Sequence, residues 1–109
     1  MEPKEDFQVI IDPSVNERMA EHFEFLSRVS EEAANLLLDK LIEDMRSLEE
    51  DPYRFPEYNK PYLPVGKYRR KVSDEKYSII FEIDGRYIYV DDIMDNRQDD
   101  DKSLLWQPI

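Results

Sequence analysis

Apolar positions along this chain follow two periods, and the change between them divides it. Residues 7–11 read Phe-Gln-Val-Ile-Ile, a short run suited to a strand. Asp12-Pro13 ends it: Asp12 is a favourable helix cap and Pro13 fits the first helical position. Val15, Met19, Phe23, Leu26 and Val29 then recur at spacings of three and four, which is one face of a helix. Ser30, followed by Glu31 and Glu32, predicts a second N-terminus, since a hydroxyl caps the free amides and carboxylates favour the dipole. Ala34, Leu37, Leu38, Leu41, Met45 and Leu48 form its stripe. Asp51-Pro52 predicts a stop near Glu50, because the residue before proline avoids the helical region. Almost no chain separates the two helices, so they form an antiparallel hairpin.

The pattern then changes. Residues 52–64 hold Pro52, Pro56, Pro61 and Pro64 with Tyr53, Phe55, Tyr58 and Tyr62, and read as a loop anchored by its aromatics. Residues 65–98 read as three short strands rich in Ile, Val, Tyr and Phe. Asp84-Gly85 between the last two predicts a type I′ hairpin, because both residues accept positive φ. A lone first strand is unstable, so residues 7–11 must join this sheet. The expected fold is α+β, in the order β-α-α-β-β-β, with a helical hairpin packed on one face of a mainly antiparallel four-stranded sheet. The opposite face has no cover in this reading and is either solvated or a binding surface.

The chain has 109 residues, which predicts one domain at 7–98, a frayed terminus at 1–6 and a tail at 99–109. Asp99-Asp100-Asp101 reads as a solvated run, and the apolar residues of 104–109 are expected to pack back or meet a partner. No cysteine is present, which excludes a disulfide framework and cysteine-ligated zinc. The polar, acidic start does not read as a signal peptide, and no apolar run is long enough for a membrane span, so a cytoplasmic location is expected.

Charge adds a further division. Residues 1–51 carry 15 acids and 5 bases (net −10), residues 52–73 one acid and six bases (net +5), and residues 74–109 ten acids and four bases (net −6). A chain of net charge −11 is a poor general binder of polyanions. Contact with nucleic acid would therefore be local, through residues 52–73. The competing reading pairs those bases with acids elsewhere in the fold. Asp91, Asp92, Asp95 and Asp99-Asp100-Asp101 lack the spacing of a calcium loop, and no metal site is expected. His22, beside Phe23, reads as a surface or boundary residue. With glycine only at 66 and 85, no phosphate-cradling loop is possible.

Several stretches together carry a resemblance. They are Asp51-Pro52-Tyr53-Arg54-Phe55-Pro56, then Gly66-Lys67-Tyr68-Arg69-Arg70-Lys71-Val72, then Tyr77-Ser78-Ile79-Ile80-Phe81-Glu82-Ile83, and finally Ile88-Tyr89-Val90 leading to Ile93-Met94-Asp95-Asn96-Arg97-Gln98. In this order the chain resembles the RelE/ParE toxin superfamily of type II toxin–antitoxin systems, which includes plasmid stabilisation proteins. The resemblance implies one of two activities. ParE-like members inhibit DNA gyrase by binding. RelE-like members are metal-independent endoribonucleases that cleave mRNA on the ribosome. Both are neutralised by a cognate antitoxin, and neither needs a cofactor. ParE-like inhibition is the expectation; RelE-like cleavage and a non-toxic family member are the alternatives.

By the same resemblance, Arg69 and Lys71 stand at two basic positions of the RelE-type site and Arg97 at or beside a third, which makes them the candidate catalytic set. Lys67, Arg69, Arg70 and Lys71 are the candidate partner-binding set, with Lys67, Arg69 and Lys71 expected on one strand face. Ser78 stands where such a nuclease usually has arginine, and no tyrosine follows Gln98. Cleavage of RNA without metal needs a base, an acid and cationic stabilisation of the phosphorane. Lysine and arginine alone supply mainly the last.

Overall fold

A computed structural model describes residues 6–108. Residues 1–5 and Ile109, parts of the expected frayed terminus and tail, lie outside them. Strand β1 (Gln8–Ile11) leads into helix α1 (Pro13–Ser27), and helix α2 (Glu31–Ser47) follows. A 3-10 turn at Pro52–Arg54 precedes strands β2 (Glu57–Tyr58), β3 (Tyr68–Ser73), β4 (Tyr77–Asp84) and β5 (Tyr87–Asp95), and a second 3-10 turn spans Asp100–Lys102. The architecture is the expected α+β arrangement, with strand order β1-β5-β4-β3-β2. All pairings are antiparallel except β1 with β5. No helix among the described residues is long and apolar enough to cross a membrane.

The helix starts follow the expected chemistry. The Asp12 carboxylate accepts from the Ser14 amide at 2.9 Å, and Ser30 Oγ accepts from the Ala33 amide at 3.1 Å. α1 ends at Ser27, so Val29 falls in the turn and is 82% exposed rather than on the buried face. α2 ends at Ser47, and residues 48–50 continue in tight i→i−3 turns toward Asp51.

Among the described residues, five strands are present where four were expected. The fifth, β2, lies inside the proline-rich segment, where Glu57 and Tyr58 pair with Arg69 and Tyr68. Prolines are tolerated beside an edge strand because its outer amides need no partner. The last hairpin also differs. Asp84 pairs with Tyr87, so the loop residues are Gly85 and Arg86. Only Gly85 has positive φ, at +59°; type I′ needs two such residues, whereas glycine at the first loop position is the type II′ arrangement.

Val15, Met19, Leu37, Leu41, Met45 and Leu48 of the helical region pack on Tyr77, Ile79, Phe81, Ile88, Val90 and Ile93 of the sheet. Each large apolar side chain buried there contributes about 1.5–3 kcal/mol. Asp91 has no partner on β4, because Ile80 pairs with Asp92 and Phe81 with Val90. This bulge reverses the alternation, so Val90 and Ile93, three apart, both face the helices while Met94 faces away. The far face is not bare, contrary to expectation. Tyr58, Leu63, Tyr68, Ile80 and Met94 form a second buried cluster there, with Tyr62 and Leu105 packed against it. The loop after β2 and the segment after β5 supply its cover.

Candidate functional site

β3 carries the basic run, and the pleat distributes it between two environments. Tyr68 belongs to the far-face cluster, so Arg69 and Lys71 point to the helix side and Arg70 to the far side. Lys67 precedes the strand, and its Nζ lies 3.9 Å from Glu82, the cross-strand partner of Tyr68. Lys67 therefore does not share the Arg69–Lys71 face, because the alternation begins only at Tyr68.

Each of the three residues named as catalytic candidates, Arg69, Lys71 and Arg97, holds an internal partner. Arg69 Nη1 donates to the carbonyl oxygens of Phe55 at 2.6 Å and Tyr53 at 3.3 Å, and its guanidinium lies over the Tyr53 ring. It fastens the turn after α2 to β3. Lys71 Nζ lies 3.6 Å from Asp44 Oδ1 and sits over the Phe55 ring. Asp44 also accepts from Ser73 Oγ at 2.6 Å and lies 3.3 Å from Lys40 Nζ. Arg97 grips Asp95 through Nε at 2.8 Å and Nη2 at 2.7 Å, above the Tyr77 ring. That forked bond, with the Arg97 amide, holds the Asp95 carboxyl below its ordinary range.

Arg70 is different. Its amide is bonded to Pro56 O, but its guanidinium forms no ion pair among the described residues. It lines a polar cleft of about 100 Å³ with Tyr58, Lys60, Ser78, Asn96 and Asp100. Ser78 Oγ donates to Asn96 Oδ1 at 2.6 Å on this side. Lys60 is 3.3 Å from Asp100. Of the candidates named from sequence, Lys67 and Arg70 thus face away from the helices, while Arg69 and Lys71 are built into the helix side. No three His, Asp or Glu side chains converge as metal ligands among the described residues.

Three buried polar groups were not anticipated. Asp44 occupies a core-facing position of α2, three residues after Leu41; an acid on an apolar stripe is its signal in sequence. Asp92 is fully buried, accepting from Ser103 Oγ at 2.9 Å and the Leu104 amide at 3.1 Å. His22 is buried rather than at the surface. Its Nε2 is hydrogen-bonded to Ile93 O at 2.7 Å, and its ring meets Tyr77 edge-on. At the bulge, burial first and then Glu82 push the Asp91 carboxyl up to about 7.

The comparisons with known proteins place this helical hairpin on a mixed sheet among RelE/ParE superfamily toxins. The family described as ParE toxin of type II toxin-antitoxin system, parDE, matches residues 9–100, and the chain belongs to that family. Its fold is similar to that of a chain from the chromosomal ParDE TA system from P. aeruginosa. The two superpose with a TM-score of 0.69 at 12% identity, covering 84% of this chain and 98% of that one. At that identity the likeness speaks for the fold. No curated protein matches the sequence.

Proposed function

We propose that this ParE-family toxin acts by binding rather than by cleaving RNA, with DNA gyrase as its target and a cognate antitoxin as its neutralising partner. The observation that carries this reading is the state of the three cations at RelE-type positions. Arg69 is held by two carbonyls, Lys71 by Asp44 and Arg97 by Asp95. Stabilising a phosphorane would require pulling them from those partners, and the position usual for arginine is a buried serine, Ser78. An antitoxin partner is supported by family membership and by the ParDE system of the structural relative, whereas the gyrase target rests on the resemblance to ParE-like members.

The test is induced expression in a bacterial host with growth, transcript integrity and plasmid supercoiling followed together. Arrest with altered supercoiling and intact transcripts is the expected result. Cuts in mRNA on translating ribosomes, from the wild type or from Ser78→Arg, overturn the reading in favour of a nuclease. Arrest without either signature overturns the gyrase target. Absence of arrest at good soluble yield overturns toxicity itself.

A further inference from the structure

Residues 99–108 lie across the far face of the sheet as a strap with three anchors. At one end, Asp100 is 3.3 Å from Lys60. In the middle, the fully buried Asp92 carboxylate receives Ser103 Oγ and the Leu104 amide, while Arg18 Nη2 donates to the Lys102 carbonyl. At the other end, Leu105 packs on the cluster of Tyr58, Leu63, Tyr68, Ile80 and Met94.

The fastening is incomplete. Asp92 Oδ1 and Arg18 Nε face each other at 3.6 Å, outside hydrogen-bond reach, and neither has another partner among the described residues. Beside Leu104, Leu105 and Trp106, a cleft of about 480 Å³ remains open toward Tyr62, Lys67 and Tyr68. Trp106 is still 39% exposed. This buried ion pair makes no hydrogen bond, so it holds the closed segment less firmly than a hydrogen-bonded pair would.

The strap also displays which chemistry this face accepts. An acidic run, Asp99-Asp100-Asp101, passes Lys60 and Arg70, and an apolar run, Leu104-Leu105-Trp106, follows onto the aromatic cluster. We propose that residues 99–108 are a detachable strap occupying, in cis, the docking surface for an extended partner segment of like chemistry. That segment carries an acidic run followed by aliphatic and aromatic residues. The inference rests on the reading that this protein acts by binding. It adds that the surface is self-occluded: a partner segment competes with the strap, so its apparent affinity scales with the fraction of molecules in which the strap is released.

Trp106 is the sole tryptophan, so its emission reports the strap in the full chain. The probe is a synthetic peptide with the sequence of residues 99–108 and phenylalanine in place of tryptophan. The expected result is a red shift of Trp106 emission as peptide is added, and none with a scrambled peptide. Ser103→Ala removes one hydrogen bond to a buried carboxylate and should tighten apparent peptide binding about tenfold or more. Leu105→Ser, which loosens the apolar anchor after the last strand, should act in the same direction without depending on Asp92. No red shift at saturating peptide in the wild type and both strap variants overturns the proposal, as does unchanged affinity in both strap variants. Failure here with growth arrest intact removes the strap mechanism alone. Displacement of Trp106 without growth arrest removes the toxin reading and leaves the strap.

Discussion

Removing Asp44 should disturb the fold far more than its single carboxylate suggests. The side chain is 7% exposed and serves three groups: Ser73 Oγ at 2.6 Å, Lys71 Nζ at 3.6 Å and Lys40 Nζ at 3.3 Å. In Asp44→Ala, the Ser73 hydroxyl, on a residue 1% exposed, is left without its acceptor, at a cost of about 1–3 kcal/mol. Lys71, with a side chain 17% exposed, loses its only carboxylate among the described residues, and breaking a buried ion pair costs about 3–5 kcal/mol. Partial solvation of Lys71 lowers that figure, and the half-exposed Lys40 adds only a few tenths. The sum is about 3–4 kcal/mol, which for a domain of this size lowers Tm by roughly 10–20 °C. Urea denaturation of Asp44→Ala, Lys71→Met and the double variant measures it. The double variant should recover about 1–2 kcal/mol relative to additivity, because the stranded charge is gone. A loss below about 1 kcal/mol for Asp44→Ala, or strict additivity, would falsify the view that Lys71 is a structural cation.

Three further outcomes follow from the geometry. The Asp91 carboxyl is pushed up to about 7 from an ordinary value of 3.8, so between those limits the folded state holds a proton that the unfolded state has released. Stability from this group is therefore full below about pH 4 and is lost as pH rises through about 7. Asp91→Asn should raise the urea midpoint at pH 8 and flatten its pH dependence, by less than the ~1.4 kcal/mol per unit of an unscreened group, since the side chain is partly solvated. Asp95 runs the other way: its lowered value gives stability above the ordinary carboxylate range that is lost as pH falls. Arg97→Gln should remove that acid-side loss, as thermal melts at pH 3 and pH 7 will report. Gly85→Ala places a side chain where φ is +59° but nothing lies within 4 Å, so it should cost about 1–2 kcal/mol from backbone strain alone, read as a lower urea midpoint at unchanged slope.

Periodicity and caps carried most of the fold. Asp12-Pro13 and Ser30 mark both helix starts, and the 3.6-residue stripes of Met19 and of Leu37, Leu41 and Met45 mark their buried faces. Features set by register were not legible. The bulge at Asp91 cannot be seen in local sequence, since it is defined only by which β4 residue stands opposite. Without it, Val90 and Ile93 cannot be assigned to one face. The position of Lys67 failed for a similar reason, because alternation holds only within a paired strand and β3 begins one residue later. β2 is too short for a periodic signal and exists because β3 offers an edge. The partners of Arg69 and Lys71 are the Tyr53 and Phe55 carbonyls and Asp44, 14 to 27 residues away, and only the fold brings them together.

This pairing changes what the basic segment means. Residues 52–73 read as a patch of net +5 in the sequence, enough for a multivalent grip on phosphates. In the fold, Arg54 meets Glu50, Lys60 meets Asp100, Lys67 meets Glu82, Lys71 meets Asp44, and Arg69 is absorbed by backbone carbonyls. Of the six bases in this segment, Arg70 alone keeps an unpaired guanidinium among the described residues. Exposed pairs such as Arg54–Glu50 are weak and open readily, whereas Lys71 sits against a carboxylate that is 7% exposed and bonded a second time. A nucleic-acid contact through this segment would thus neutralise few phosphates, and each contributes about −0.9 to the slope of log K against log salt on duplex DNA. The same arrangement suits a protein partner. Arg70 and Lys60 supply a local attraction for acidic side chains beside an aromatic cluster, and the surrounding negative charge repels the polyanions that would otherwise compete for it.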